Sequence, residues 1–149
     1  MDAHLETAVT LLQPWTEETA EPEPYRLDVI VSGENLVTAV AALHGAGWGF
    51  LSAITGVDLG VEDGHVEVLY HFCEGPYITT LRVHIPRDNG QIDSVCGVIP
   101  SAGFFERELS EMLGVTVVGT PNPDRLFLPE DWPAGVHPLR KDFAMEQLS

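Results

Sequence analysis

The sequence predicts an α+β domain: a two-layer, mainly antiparallel sheet with helices packed on it, ending in a long irregular Pro-rich C-terminal arm. Three observations carry this. Apolar and polar residues alternate with a period of two in three stretches between Tyr25 and Ile85, and apolar residues recur at helical spacing in three others. The five prolines between Gly119 and Asp142 leave neither periodicity standing. A chain of 149 residues, 44% of them hydrophobic, has material for one core and not two, so residues 1–149 read as a single domain.

Near the N-terminus Leu5, Ala8, Val9 and Leu12 stand at i, i+3, i+4 and i+7, a short amphipathic helix that Pro14 ends. Residues 14–24 read as an acidic linker. Four Glu and two Pro between Glu17 and Pro24 leave almost nothing to bury, so a mobile surface loop is expected. Tyr25, Leu27, Val29 and Val31 then alternate with Arg26, Asp28 and Ile30 as a strand with one face inward. In the helix that follows, Ser32 is placed to cap the N-terminus. Leu36, Val37, Val40, Ala41 and Leu43 form its buried stripe, and Gly45 sits where a left-handed C-terminal cap is wanted.

From Phe50 to Val61 the chain reads as extended, and Glu62-Asp63-Gly64 has hairpin-turn chemistry. Val66, Val68, Tyr70 and Phe72 alternate with Glu67, Leu69 and His71 in a second strand. Ile78, Thr80, Arg82 and His84 alternate with Leu81, Val83 and Ile85 in a third. Turns at Glu74-Gly75-Pro76 and from Arg87 to Gly90 make these an antiparallel meander. A last helix opens near Ser101, runs through Phe105, Leu109, Met112 and Leu113, and stops at Gly114, with Val115 to Val118 as a short strand after it.

Charge narrows the function classes. The formal charge of -16, from 23 acids and 7 bases, repels phosphate backbones and anionic headgroups, so no nucleic-acid partner is expected. Solubility, a salt-rich cytoplasm or an acidic docking role would each account for the acidity. Met1 to Glu6 carries acids where a secretory signal would carry Lys or Arg, and no apolar run of about 18 residues occurs. A location facing the cytoplasm is therefore expected, with no direct membrane span and any membrane association borrowed from partners.

Catalytic and ligand motifs are sparse. Cys73 and Cys96 stand apart with no CxxC, and the six histidines include no HExxH pair, so no metal or cofactor is expected in this chain. Gly45-Ala46-Gly47-Trp48-Gly49 closes a helix, whereas a dinucleotide loop opens one. Neither a G-x-S-x-G elbow nor a phosphate loop is present, and the Glu62-Asp63 pair lies in an exposed turn unsuited to acid–base work. A small-molecule enzyme built on His71, His84 and Asp58 in a sheet-lined pocket is the alternative of a different class.

The remaining signal is in the C-terminal third. Phe105-Glu106-Arg107-Glu108 puts acids and a base on the last helix, with Glu108 and Glu111 one turn apart. Downstream, the strip from Asp124 to Phe143 mixes large apolar groups, Arg and Pro. Such a segment needs something to hold it, because ordering backbone costs about 1–2 kcal/mol per residue without a ladder to offset it. Trp, Phe and Arg are enriched at interface hot spots, which suits a foreign polypeptide. Folding of Leu126, Phe127, Leu128 and Trp132 back onto the domain's own core is the competing possibility.

In order and spacing, Phe105-Glu106-Arg107-Glu108, Met112-Leu113-Gly114-Val115, Arg125-Leu126-Phe127-Leu128-Pro129-Glu130-Asp131-Trp132 and Pro138-Leu139-Arg140-Lys141-Asp142-Phe143 together resemble the family of the C subunit of NADH-quinone oxidoreductase, respiratory complex I. Weaker similarity reaches upstream through Leu51 to Asp58, Glu67 to Phe72 and Leu81 to Val83. Ser110-Glu111 and Gly119-Thr120-Pro121-Asn122 depart from the usual pattern, and Trp132 to Pro138 also resembles the related subunits of energy-converting membrane-bound hydrogenases.

The resemblance implies a non-catalytic, cofactor-free scaffold subunit at the cytoplasmic face of a membrane-bound oxidoreductase that couples electron transfer to ion translocation. Its expected partners are a large quinone-site or hydrogenase-like subunit and a small iron–sulfur subunit, with Fe–S clusters in the partners. Residues 119–149 become an extended docking arm. The expected interface comprises Glu106, Arg107, Glu108, Arg125, Leu128, Pro129, Glu130, Asp131, Trp132, Pro138, Leu139, Arg140, Lys141 and Asp142.

Overall fold

Seven strands and three α-helices make up the fold in a computed structural model that describes residues 1–148. The strands are β1 (Glu18–Ala20), β2 (Arg26–Ile30), β3 (Phe50–Asp58), β4 (His65–Glu74), β5 (Tyr77–Pro86), β6 (Gln91–Asp93) and β7 (Thr116–Val118). The helices are α1 (Ala3–Leu12), α2 (Leu36–Gly45) and α3 (Gly103–Leu113). The main sheet runs β1-β2-β5-β4-β3, and β6 pairs with β7 in a small parallel ribbon.

The alternation read in the sequence becomes the register of this sheet. Val29 lies opposite Leu81, Leu81 opposite Tyr70, and Tyr70 opposite Ile54, so one buried row crosses four strands on a single face. Full burial of the Val29, Leu81 and Ile54 side chains contributes about 1.5–3 kcal/mol each. The helices cover that face: α1 packs on α2 and β5, and α3 lies along β3. Leu5, Ala8 and Leu12 of α1 and Leu36, Ala39, Val40 and Leu43 of α2 are buried, while Val9, Val37 and Ala41, also expected in the stripes, are half-buried and Ala39 takes the inward place instead of Ala41. Trp48 Nε1 donates to the His4 carbonyl at 2.9 Å and ties the end of α2 to the start of α1.

β3, β4 and β5 form the antiparallel meander expected. Other elements differ from the sequence reading, each for a local reason. The acidic linker contains β1, whose main chain pairs with β2 from Glu18 to Ala20 while its side chains stay exposed. Ladder bonds use only the main chain, so an acidic composition does not prevent them. β2 joins β5 in parallel, a pairing between distant segments that no alternation pattern specifies. Ser32 makes no side-chain capping bond, because a 3-10 turn at Gly33–Asn35 precedes α2. Gly45 is the last helical residue, and the left-handed position is Gly47 at φ 67°.

The entry into β3 depends on Gly49. Its φ is +60°, and a Cβ there would lie 2.2 Å from the Cys73 carbonyl oxygen across the β3–β4 ladder. Gly49→Ala is therefore expected to destabilise the chain by on the order of 2 kcal/mol or more, from backbone strain plus a clash with main chain that cannot move aside. Urea unfolding of the variant checks this; an unchanged midpoint would show that this corner is built otherwise.

Candidate functional site

Beyond β7 the chain makes turns and bends only, until a 3-10 turn at Met145–Leu148. Helix α3 supplies the polar groups that this arm's main chain needs. Arg107 and Glu111 are four residues apart and so share a face of α3. Arg107 donates from Nε to the Asp124 carbonyl and from Nη2 to the Arg125 carbonyl, both at 2.9 Å. Glu111, one turn on, accepts from the next two amides: Leu126 N–H on Oε1, and Phe127 N–H on Oε2 at 2.9 Å. Four consecutive residues of the arm are thus gripped through their main chain.

The C-terminal end of α3 makes a second grip. Its last carbonyls have no partner within the helix. The arm provides them: His137 Nδ1 lies 3.0 Å from the Glu111 oxygen, Leu139 N–H donates to Met112 at 2.9 Å, and Arg140 Nε donates to Leu113 at 2.6 Å. A guanidinium at this end also complements the helix dipole. Gly114 stops the helix in the left-handed conformation, φ 73°, and a Cβ there would lie 2.5 Å from the His137 ring, so both the turn and the packing require glycine.

The third grip is electrostatic. Asp58 ends β3 with its side chain almost wholly buried, and Arg87 meets it in a two-pronged pair at 2.8 and 2.9 Å. Asp58 also accepts from Gly60 N–H at 2.9 Å and from Lys141 N–H of the arm at 2.8 Å. Arg87 Nη2 reaches Asp142 at 2.8 Å. The Arg87 guanidinium, followed by the Lys141 and Gly60 amides, holds the Asp58 carboxyl well below the usual carboxylate range, and Asp58 in turn raises Arg87 further. Arg87, His137, Arg140 and Asp142 also line a polar cleft of about 560 Å³ beside this grip.

Within the arm, Trp132 Nε1 donates to the Val136 carbonyl at 2.8 Å and its ring stacks on Phe143. Arg125 Nη1 donates to the Pro129 carbonyl at 2.8 Å. The main chain of two gripped residues is fixed while their side chains stay in solvent: Phe127 is 61% exposed and Leu139 58%.

The expected interface residues therefore divide. Glu106 lies in the core at 1% exposure, where it accepts from Ser94 Oγ at 2.7 Å and Val95 N–H at 2.9 Å, with Cys96 Sγ at 3.0 Å. It braces the loop before α3 and cannot reach a partner. Arg107, Arg125, Trp132, Arg140 and Asp142 direct polar groups to this chain's own atoms. Glu108, Pro129, Glu130, Asp131, Leu139 and Lys141 are exposed, and Leu128 and Pro138 half-buried. Glu108 and Glu111, expected on one face, part company, since Glu111 turns into the arm and is buried. The i, i+4 spacing of Arg107 and Glu111 was the available signal for the first grip. Asp58 with Arg87 had none, being 29 residues apart.

His71, His84 and Asp58 do not converge. His71 lies opposite Thr80, its ring between Thr55 and Thr80 hydroxyls at 2.9 and 3.0 Å, and burial lowers its proton affinity. His84 lies opposite Glu67 and contacts it at 2.7 Å, in a polar patch that Arg82 extends to Asp28. Asp58 belongs to the covered face of the sheet. Among the described residues no group of three His, Cys, Asp or Glu side chains is placed to hold a metal ion.

The stretch from β2 through α3 and the arm matches a known family in sequence. Residues 29–149 match the family described as respiratory-chain NADH dehydrogenase, 30 kDa subunit. The chain belongs to that family. Among relatives of the 30 kDa-subunit family, the C subunit of NADH-quinone oxidoreductase from Moorella thermoacetica is 31% identical over 79% of this chain and 80% of its own length. The beta subunit of the membrane-bound hydrogenase of Pyrococcus furiosus is 40% identical over 57% of this chain and half of its own. Hydrogenase-4 component G of Escherichia coli is 34% identical over 85% of this chain, which spans only 23% of that longer protein. In fold, the chain matches one in the structure of an archaeal membrane-bound sulfane sulfur reductase with a TM-score of 0.81, at 23% identity over 97% of this chain and 87% of the other. It matches a trypsin-resistant fragment of Nqo5 with a TM-score of 0.64, again at 23% identity, over 79% of this chain and 95% of the fragment.

Two outcomes test the grips. Because the Asp58 carboxyl is depressed in the folded state, its stabilisation is fully present above its ordinary value of 3.8 and is lost as pH falls below it. Asp58→Asn leaves Arg87 with only the exposed Asp142 as a charge partner and is expected to cost on the order of 2 kcal/mol at pH 7. In urea titrations the gap between wild type and variant should close as the pH drops below 3.8; a gap independent of pH would remove the ionic role. Glu111→Ala should speed proteolytic cleavage near Phe127 by about tenfold or more, the factor given by losing about 1.4 kcal/mol of local protection. Cleavage at the wild-type rate would mean the arm is held elsewhere.

Proposed function

We propose that this chain is a structural subunit of a membrane-bound, multi-subunit oxidoreductase of the NADH-quinone oxidoreductase type, docking through its C-terminal arm. One observation carries the docking role: Phe127 and Leu139 have their amides clamped on α3 while their apolar side chains stand in solvent. A pre-ordered apolar anchor loses less freedom on binding than a mobile one, which makes it effective in an interface. Glu130, Asp131 and Lys141 of the same arm are exposed as well.

In this reading the chain works without a cofactor of its own and rigidifies the module through which electrons travel. What supports the scaffold role is the use of Asp58, Arg87, Arg107, Glu111 and Arg140 to fix main chain. Fe–S clusters would sit in the partners, a large quinone-site or hydrogenase-like subunit and a small iron–sulfur subunit. No helix among the described residues is long and apolar enough to cross a membrane, so those partners would hold the chain at the cytoplasmic face. Membership of a hydrogenase complex is the second reading, favoured by the 40% identity to the hydrogenase subunit of Pyrococcus furiosus.

Affinity purification of the tagged chain in mild detergent tests the role. Wild type should bring down the companion subunits, and Phe127→Asp should lower their recovery at least about tenfold, the loss expected from a hot-spot anchor of about 1.4 kcal/mol or more. Its unfolding midpoint should stay unchanged. Recovery of the chain without companions would overturn the subunit role, full recovery with Phe127→Asp would overturn the arm as the docking element, and nickel in the complex would select the hydrogenase reading.

A further inference from the structure

We propose that β3 is an acceptor edge: a partner protein adds an extended strand to it, placing an apolar side chain beside α3 and a basic side chain against Glu108. This rests on the reading of the chain as one member of a larger complex and assigns a second contact to it, separate from Phe127.

The register shows which main-chain groups are free. Leu59 N–H donates to the His65 carbonyl directly across the β3–β4 ladder, and opposed residues in an antiparallel pair alternate between bonded and non-bonded. Val57 with Glu67 and Thr55 with Leu69 are therefore bonded pairs. Ile54 and Gly56 point their N–H and C=O groups away from β4, to the outer side of the last strand in the sheet. Among the described residues, no hydrogen bond outside the sheet involves these groups.

The two edges of the sheet differ. The β1 edge is three residues long and begins with Glu18, and both features discourage pairing. The β3 edge runs nine residues from Phe50 and carries no charge before Asp58; Phe50 is 64% exposed and Val57 46%. A long, uncharged edge is what a folded protein keeps only where something covers it. Beside it lies a slot of about 130 Å³ between Gly56, Met112, Leu113 and Leu139, with Glu108 at its rim. The missing side chain of Gly56 lets α3 cross close to the strand: a Cβ there would lie 2.4 Å from Leu113 Cδ1.

Charge decides the occupant. Glu108 is exposed and has no ion-pair partner among the described residues, and the chain carries 23 acids against 7 bases. A second copy pairing through β3 would bring two chains of charge -16 together and two Glu108 carboxylates into one seam. A strand bearing an apolar residue and a Lys or Arg satisfies the edge, the slot and Glu108 together.

Hydrogen exchange of the full chain, alone and in the purified complex, tests this. In the free chain the Ile54 and Gly56 amides should exchange fast while those of Thr55 and Val57 are protected. In the complex Ile54 and Gly56 should slow by more than about tenfold. Glu108→Lys should reduce companion recovery at least about tenfold, leaving the urea midpoint of the free chain unchanged. An intact complex in which Ile54 and Gly56 exchange as in the free chain overturns the proposal. So does slowing in the isolated chain that grows with its concentration, which would make the occupant a second copy. Failure of wild type to recover any companion would instead sink the reading as a member of a complex, on which this rests.

Discussion

The structure turns on an unmet need of the main chain. A segment with five prolines between Gly119 and Asp142 can form neither helix nor ladder, yet its N–H and C=O groups still require partners wherever it lies against the protein. Helix α3 meets that need with side chains along one face and bare carbonyls at its end, and Asp58 meets it at the end of β3. The magnitudes set how far this goes. A hydrogen bond to a charged group contributes about 1.5–3 kcal/mol net, while ordering a residue costs about 1–2 kcal/mol. Each grip can fix the few residues it touches, and the stretches between grips gain rigidity only from further contacts.

The grips also explain why the charged residues of α3 look like an interface in the sequence. Glu106, Arg107 and Glu108 are consecutive on a helix, so they point in three directions. Glu106 turns into the core, Arg107 to the arm and Glu108 to solvent. Charge alone could not separate these fates, because a buried carboxylate that accepts two or three hydrogen bonds and an exposed one have the same letter.

Much of the fold was legible because it rests on periodicity. The strands around Val68, Tyr70, Leu81 and Val83 and most of the buried stripes of α1 and α2 follow from spacing alone, as does the stop at Gly114; in α2 the centre of the stripe falls on Ala39 rather than Ala41. What was illegible depends on main-chain pairing or on distance. The β1 strand within an acidic stretch, the parallel junction of β2 with β5, and the Asp58–Arg87 pair all join segments whose side chains give no local sign of the contact. The arm was marked as the functional region by its composition, but the sequence left open whether it packs on its own domain or on another. The structure grips its main chain at home while Phe127 and Leu139 stay exposed, a split between main chain and side chain that composition does not encode.

The arm is ordered by its own domain before any partner arrives. Amide temperature coefficients and backbone relaxation of the isolated, isotopically labelled chain in solution test this most directly. The amides of Leu126, Phe127, Leu139 and Lys141 should behave as hydrogen-bonded and be as rigid as those of β4. Values typical of a random coil at all four, with the sheet intact, would contradict it.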